Sequence, residues 1–179
     1  MAFESYPGAG TTLTAAKLQA LIAEVRPLYV RKTADQTITS STTLTNDTHL
    51  FIPMAANTTY KLSGLLRYTC ASVTPDLKIA FTIPTGTTGT AFGAGGGTNV
   101  TGQEGSISLY SPTGSAGSIA AIHYGTNNSS GFPVGIALNG TIRTGGTAGN
   151  LQLQWAQVTS DANGITMLID SDLELRKVA

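Results

Sequence analysis

Charge is scarce in this chain. Only 11% of its 179 residues are charged, and ten basic side chains balance ten acidic ones. An ordinary soluble domain carries about 25%. A neutral surface this poor in charge has little repulsion between copies, which favours association. The five lysines and five arginines stand singly or in pairs, so no basic patch for nucleic acid is visible. Cysteine is scarcer still. Cys70 alone cannot form an internal disulfide, so folding needs no oxidising compartment. No apolar run approaches the roughly 18 residues of a membrane span. The opening MAFESYP is neither a basic nor an apolar signal segment. These absences predict synthesis in a cytoplasm, with no nucleic-acid or membrane partner.

The constellations that carry chemistry are missing as well. His49 and His123 have no Cys or carboxylate at ligand spacing, whereas a zinc site needs three or four convergent ligands. Asp170-Ser-Asp172 offers two oxygens where a calcium loop needs more, and reads as a turn. There is no G-x-S-x-G elbow, and Cys70 falls on the apolar phase of its segment. Gly93-Ala-Gly-Gly-Gly97 has no lysine after it and opens no helix, unlike a phosphate loop. Glu104, Glu174 and Asp76 are the carboxylates a glycosidase pair would have to draw on. The reading is of a protein that is not an enzyme, with no catalytic residue, metal or cofactor.

What is present is alternation. Hydrophobic residues make up 41% of the chain, and they recur with period two, the mark of strands with one buried face. Tyr60, Leu62, Gly64, Leu66, Tyr68 and Cys70 share one phase, and Leu77, Ile79, Phe81 and Ile83 another. Val134, Ile136, Leu138 and Ile142, then Leu151, Leu153 and Trp155, are joined by Thr-Gly-Gly-Thr-Ala-Gly-Asn and predict a central hairpin over Phe132–Val158. Gln36–Ser41, Leu44–Ile52, Ile107–Tyr110, Ser118–Tyr124, Ile165–Ile169 and Leu173–Val178 add further strands. Thr85–Gly105, dense in Gly and Thr, reads as a long loop with at most one short strand near Phe92. Asp161-Ala-Asn-Gly164 reads as a tight turn with glycine at positive φ. Eight to ten strands and one helix predict an all-β fold, a jelly-roll-like antiparallel β-sandwich.

The helix lies near the N-terminus. Leu18, Leu21, Ile22, Val25 and Leu28 recur at three- and four-residue spacing, with Thr12 or Thr14 as N-cap and Pro27 as stop. A helix of about a dozen residues is marginal alone, so its stripe needs cover, either from the chain's own sandwich or from neighbouring copies. Phe3 and Tyr6 lie on an irregular arm before it, placed either to dock on a partner or to tuck onto their own domain. Arg31–Asp35 reads as a polar connector. The predicted division is an arm and helix at 1–33 and a sandwich at 34–179.

Several of these segments resemble a family of virion proteins from tailed phages that infect actinobacteria. The similarity lies in Val30–Gln36 (VRKTADQ), Thr39–Leu44, Asn46–Leu50, Ala55–Tyr60 (AANTTY) and Asp76–Gly86 (DLKIAFTIPTG). It extends to GTIRTGGTAGNLQLQWAQ and the closing DLELRKV. Such proteins serve as minor tail proteins in some phages and as head fibres or capsid decorations in others. The resemblance implies a structural virion component, a homotrimer by analogy, in contact with major capsid or tail proteins. Phe3, Tyr6, Leu18, Leu21, Ile22 and Val25 would then be its anchoring or oligomer contacts. The alternative is a carbohydrate-binding module that touches a host surface glycan, with Tyr110, Tyr124 and Phe132 as stacking residues.

Overall fold

The computed structural model describes residues 14–97, 107–110, 113–115, 118–126 and 129–178. After α1 (Ala15–Val25) come β1 (Leu28–Arg31), β2 (Gln36–Ile38), β3 (Thr45–Met54), β4 (Thr59–Cys70) and β5 (Leu77–Thr82). Next are β6 (Thr88–Gly96), β7 (Ile107–Tyr110), β8 (Thr113–Ser115) and β9 (Ser118–Tyr124). The chain closes with β10 (Ser129–Arg143), β11 (Gly149–Gln157), β12 (Ile165–Met167) and β13 (Asp172–Lys177).

Strand pairing defines the architecture. Eight long-range strands run β1, β3, β4, β5, β9, β10, β11, β13 in chain order. The first pairs with the last, the second with the seventh, the third with the sixth and the fourth with the fifth, all antiparallel. That nesting is the jelly roll, a hairpin of strands rolled into two facing sheets. One sheet runs β1-β13-β4-β10 and continues to β6; the other runs β3-β11-β5-β9. β8 pairs with both β6 and β9, so hydrogen bonds close one flank of the sandwich. β2 and β12 extend the far end of β4.

All ten side chains expected to point inward are at most 2% exposed: Tyr60, Leu62, Leu66, Ile79, Phe81, Ile136, Leu138, Leu153, Trp155 and Leu175. Alternation therefore named the core correctly, but it misread the pairing. β10 and β11 do not form a hairpin with each other. β10 bonds to β4 and β6, β11 bonds to β3 and β5, and the glycine-rich link between them crosses from one sheet to the other. Periodicity reports which face is buried and carries no information about which strand lies alongside.

Three further expectations are corrected. The glycine-rich segment expected to be a loop contains β6, nine residues long and paired with β10 along most of its length. Its glycines are packing devices. A Cβ on Gly93 would collide with the Tyr124 hydroxyl, and one on Gly95 would lie 2.8 Å from the Tyr124 ring. The Arg31–Asp35 connector begins inside the sandwich, because Leu28–Arg31 pairs with Leu175–Asp172 and Lys32 is fully buried. The sheet thus reaches upstream of the 33/34 boundary, and Leu28 belongs to β1 rather than to the helix. Gly164 does not have positive φ. It is glycine because a Cβ there would sit 2.6 Å from Thr37 Cγ2, and Asp161 Oδ1 holds the turn by accepting from Asn163 N at 2.7 Å.

Candidate functional site

The helix is the first element whose chemistry its own fold leaves unfinished. Thr14 caps it, its hydroxyl accepting from Lys17 N at 3.3 Å, and Arg26 N closes the last turn on Ile22 O at 2.9 Å. Pro27 then turns the chain into edge strand β1. The stripe expected to be covered is open: Leu18 is 44% exposed, Leu21 and Ile22 49% each, and Val25 61%. Of the two readings of this helix, packing onto its own sandwich is not what the chain does. A groove of about 500 Å³ runs between α1 and β1, lined by Gln19, Ile22, Arg26, Pro27, Leu28 and Tyr29. Phe3 and Tyr6 lie outside the described residues.

A buried ion pair fixes the edge from which that helix springs. Lys32 directly follows β1 in one sheet, and Asp47 lies on β3 in the other. Lys32 Nζ donates to Asp47 Oδ2 at 2.8 Å, to Asp47 Oδ1 at 3.0 Å and to Gln36 Oε1 at 3.2 Å. Both side chains are fully buried. The carboxylate also accepts from Trp155 Nε1 at 3.1 Å, His49 N at 2.9 Å and Leu50 N at 3.0 Å. Every donor around it aims at the charge, which is what burying a carboxylate requires. The pair ties the two sheets together on the flank opposite the β8 bridge. Sequence reading missed it. The alternation of Leu50, Ile52 and Met54 puts Asp47 out of phase, and the register irregularity between β3 and β11 turns it inward; the available clue was the chain's one tryptophan, which needs an acceptor for its indole N–H.

The three proposed glycan contacts do not form one surface. Tyr124 is buried, its ring lying against Gly93 and Gly95 beside Ile136; it is a core residue, and its role as a stacking platform is withdrawn. Phe132 is exposed on β10. Tyr110 pairs with Gly93 in backbone register, and its side chain lies outside the described residues.

The remaining candidates resolve as structure. Asp170, at φ 68°, turns the chain between β12 and β13 and pairs with exposed Arg31. Cys70 is buried, and burial raises its thiol pKa. Burial likewise raises Asp76, whose Oδ1 accepts from Thr126 N at 3.3 Å, and Asp172, which stands near Glu174. Tyr68 is held far above the ordinary phenol value by burial, and its hydroxyl donates to Gly125 O. Among the described residues, no three His, Cys, Asp or Glu side chains are close enough to share a metal ion.

The fold and these sites define an all-β jelly-roll sandwich with an uncovered amphipathic helix at one edge. No family model matches the chain, and no curated protein matches it. Among solved structures it is similar to "Structure of Eiger TNF from S. frugiperda", at 9% identity and a TM-score of 0.40, over 87% of this chain and 94% of that one. It is also similar to the infectious bursal disease virus Gt strain structure, at 11% identity and a TM-score of 0.20, over 86% of this chain and 41% of that one. At these values the architecture rests on the strand pairing above, and neither likeness adds to the function.

Proposed function

We propose that this protein is a structural component of a tailed-phage virion, a homotrimeric capsid decoration, head fibre or minor tail protein. In this reading the N-terminal arm and α1 bind the particle, its capsid or tail proteins, and the sandwich projects outward. The observation that carries it is the open stripe of Leu18, Leu21, Ile22 and Val25, which the chain's own sandwich leaves in solvent. Fully burying such side chains contributes about 1.5–3 kcal/mol each, and a trimer presents three stripes. The resemblance in VRKTADQ, AANTTY and DLKIAFTIPTG supports the same reading. The protein acts by holding position and not by turnover, so no hydrolysis of host envelope material is expected.

Deletion tests the anchor. The cut belongs after Arg26, because Leu28–Arg31 is a strand and Lys32 is a buried ion-pair partner. A chain lacking residues 1–26 is expected to stay folded and no longer join the particle. Incorporation of the truncated chain at the wild-type level would overturn the anchoring role. Light scattering checks the symmetry: a stable monomer at micromolar concentration would refute self-association, and a dimer would refute the threefold count.

A further inference from the structure

The chain contains two Asn-Gly pairs, Asn139-Gly140 and Asn163-Gly164. Such a pair is chemically labile, because glycine has no Cβ to keep its N–H from closing onto the asparagine side chain. The fold treats the two differently. Asn139 and Gly140 sit inside β10, registered with Ser63 and Leu62 of β4 on one side and with Phe92 and Ala91 of β6 on the other. Two ladders hold that peptide extended, and a succinimide ring does not close in an extended strand. Asn163 and Gly164 lie instead in the turn before β12. Asn163 is exposed, and Gly164 N donates to no acceptor among the described residues. Packing also keeps glycine there, since a Cβ at 164 would lie 2.6 Å from Thr37 Cγ2 and 2.7 Å from Thr39 Oγ1.

We infer that Asn163 is a self-converting modification site, whose side-chain amide becomes a carboxylate in the folded chain and so opens the turn before β12. Gly164 N attacks Asn163 Cγ, forming the N–Cγ bond of a succinimide. The Cγ–Nδ2 bond breaks, and Nδ2 leaves as ammonia with the proton that Gly164 N gives up. One water molecule then opens the ring and returns a proton to Gly164 N. Attack at Cγ leaves aspartate, and attack at the main-chain carbonyl leaves isoaspartate. No electrons are transferred, and water is the only co-reactant. The product does not fit the turn in which it forms. Asn163 Nδ2 and N both donate to Asp161 Oδ1, at 2.8 and 2.7 Å. A carboxylate at 163 has no such side-chain donor and faces Asp161 with like charge. Gln157 Nε2 donates to Asp161 O at 3.0 Å and to Asn163 O at 2.9 Å, while its Oε1 accepts from Asp161 N and Ser41 N. Gln157 is fully buried, so loss of the turn leaves its amide without those partners. Cys70 Sγ lies 3.9 Å from Asn163 O, and Cys70 pairs with Ile165 at the start of β12. Cys70 is 2% exposed, and opening the turn uncovers it.

The test is peptide mapping by mass spectrometry of the full-length chain after incubation in warm, mildly alkaline buffer, with isoaspartyl methyltransferase labelling to detect isoaspartate. Conversion is expected at Asn163, with Asn139 slower by about tenfold or more, since its ladders must open first. Iodoacetamide labelling of Cys70 under native conditions is expected to rise in step with conversion. Asn163→Gln keeps the amide but lengthens its arm, so it is expected to stay unconverted and to keep Cys70 protected. Asn163→Asp, the product made directly, is expected to label at Cys70 faster than fresh wild type while keeping its circular dichroism spectrum. Should Asn163→Gln misfold, the wild-type map and the Cys70 time course decide alone. Equal conversion at the two sites, or none at Asn163, would overturn the site. Conversion with Cys70 labelling unchanged would overturn the opening of the turn.

Discussion

Replacing Lys32 by methionine keeps the side chain's bulk and removes its charge. Asp47 then keeps three donors, Trp155 Nε1, His49 N and Leu50 N, but loses the cation that held its charge inside the sandwich. Breaking a buried pair from one side costs about 3–5 kcal/mol, and the three remaining donors place Lys32→Met toward the lower end. Asp47→Ala should cost more. It leaves the buried ammonium with Gln36 Oε1 but no counter-charge, and strands the indole N–H and two backbone N–H groups, each unsatisfied group worth about 1–3 kcal/mol. The double variant leaves no uncompensated charge, so it should fall short of the sum of the singles by about 0.5–3 kcal/mol. For a domain this size, 3–5 kcal/mol corresponds to a fall in Tm of about 6–20 °C. Trp155 is the chain's single tryptophan and touches the pair, so its fluorescence during urea unfolding reads the perturbed site directly. Protomer concentration must be held constant, since assembly raises apparent stability. A loss below about 1 kcal/mol for Lys32→Met, or strict additivity in the cycle, would refute the claim that this pair staples the sheets.

Three other outcomes are expected. Gly93→Ala should destabilise by about 1–3 kcal/mol or more, because its Cβ meets the Tyr124 ring, while Gly146→Ala, with open space around it, should be close to neutral in the same thermal melt. Asp76 and Asp172 have folded-state pKa values raised by burial, so the native state binds more protons than the unfolded chain just above the ordinary carboxylate range. Their contribution to stability is present below that window and lost as pH rises through it; unfolding titrations of Asp172→Asn should show a shallower decline there, and an unchanged slope would count against it. Deletion of residues 1–32, unlike 1–26, removes β1 and Lys32 and should abolish the cooperative unfolding transition; a fully folded remnant would show that β1 is dispensable.

Fold class was legible because period two is a local property. Tyr60 through Cys70 and Leu151 through Trp155 show their buried phase in the order of residues alone, and the structure buries those same side chains. Thr14 and Pro27 likewise bound the helix by chemistry that acts within one turn. Pairing is not local. The glycine-rich link after Arg143 looks like a hairpin turn, and only the nested strand order sends β10 and β11 to opposite sheets. Gly93 and Gly95 look like loop residues until Tyr124, some thirty positions later, takes the space their missing side chains leave. Lys32 looks like a connector residue until β3 brings Asp47 to within 2.8 Å. The helix stripe was readable as apolar from spacing, whereas its exposure depended on where Pro27 and β1 carried it. The residue order determined which faces seek burial; tertiary structure decided what each face meets, because partners distant in sequence become neighbours only once the two sheets close.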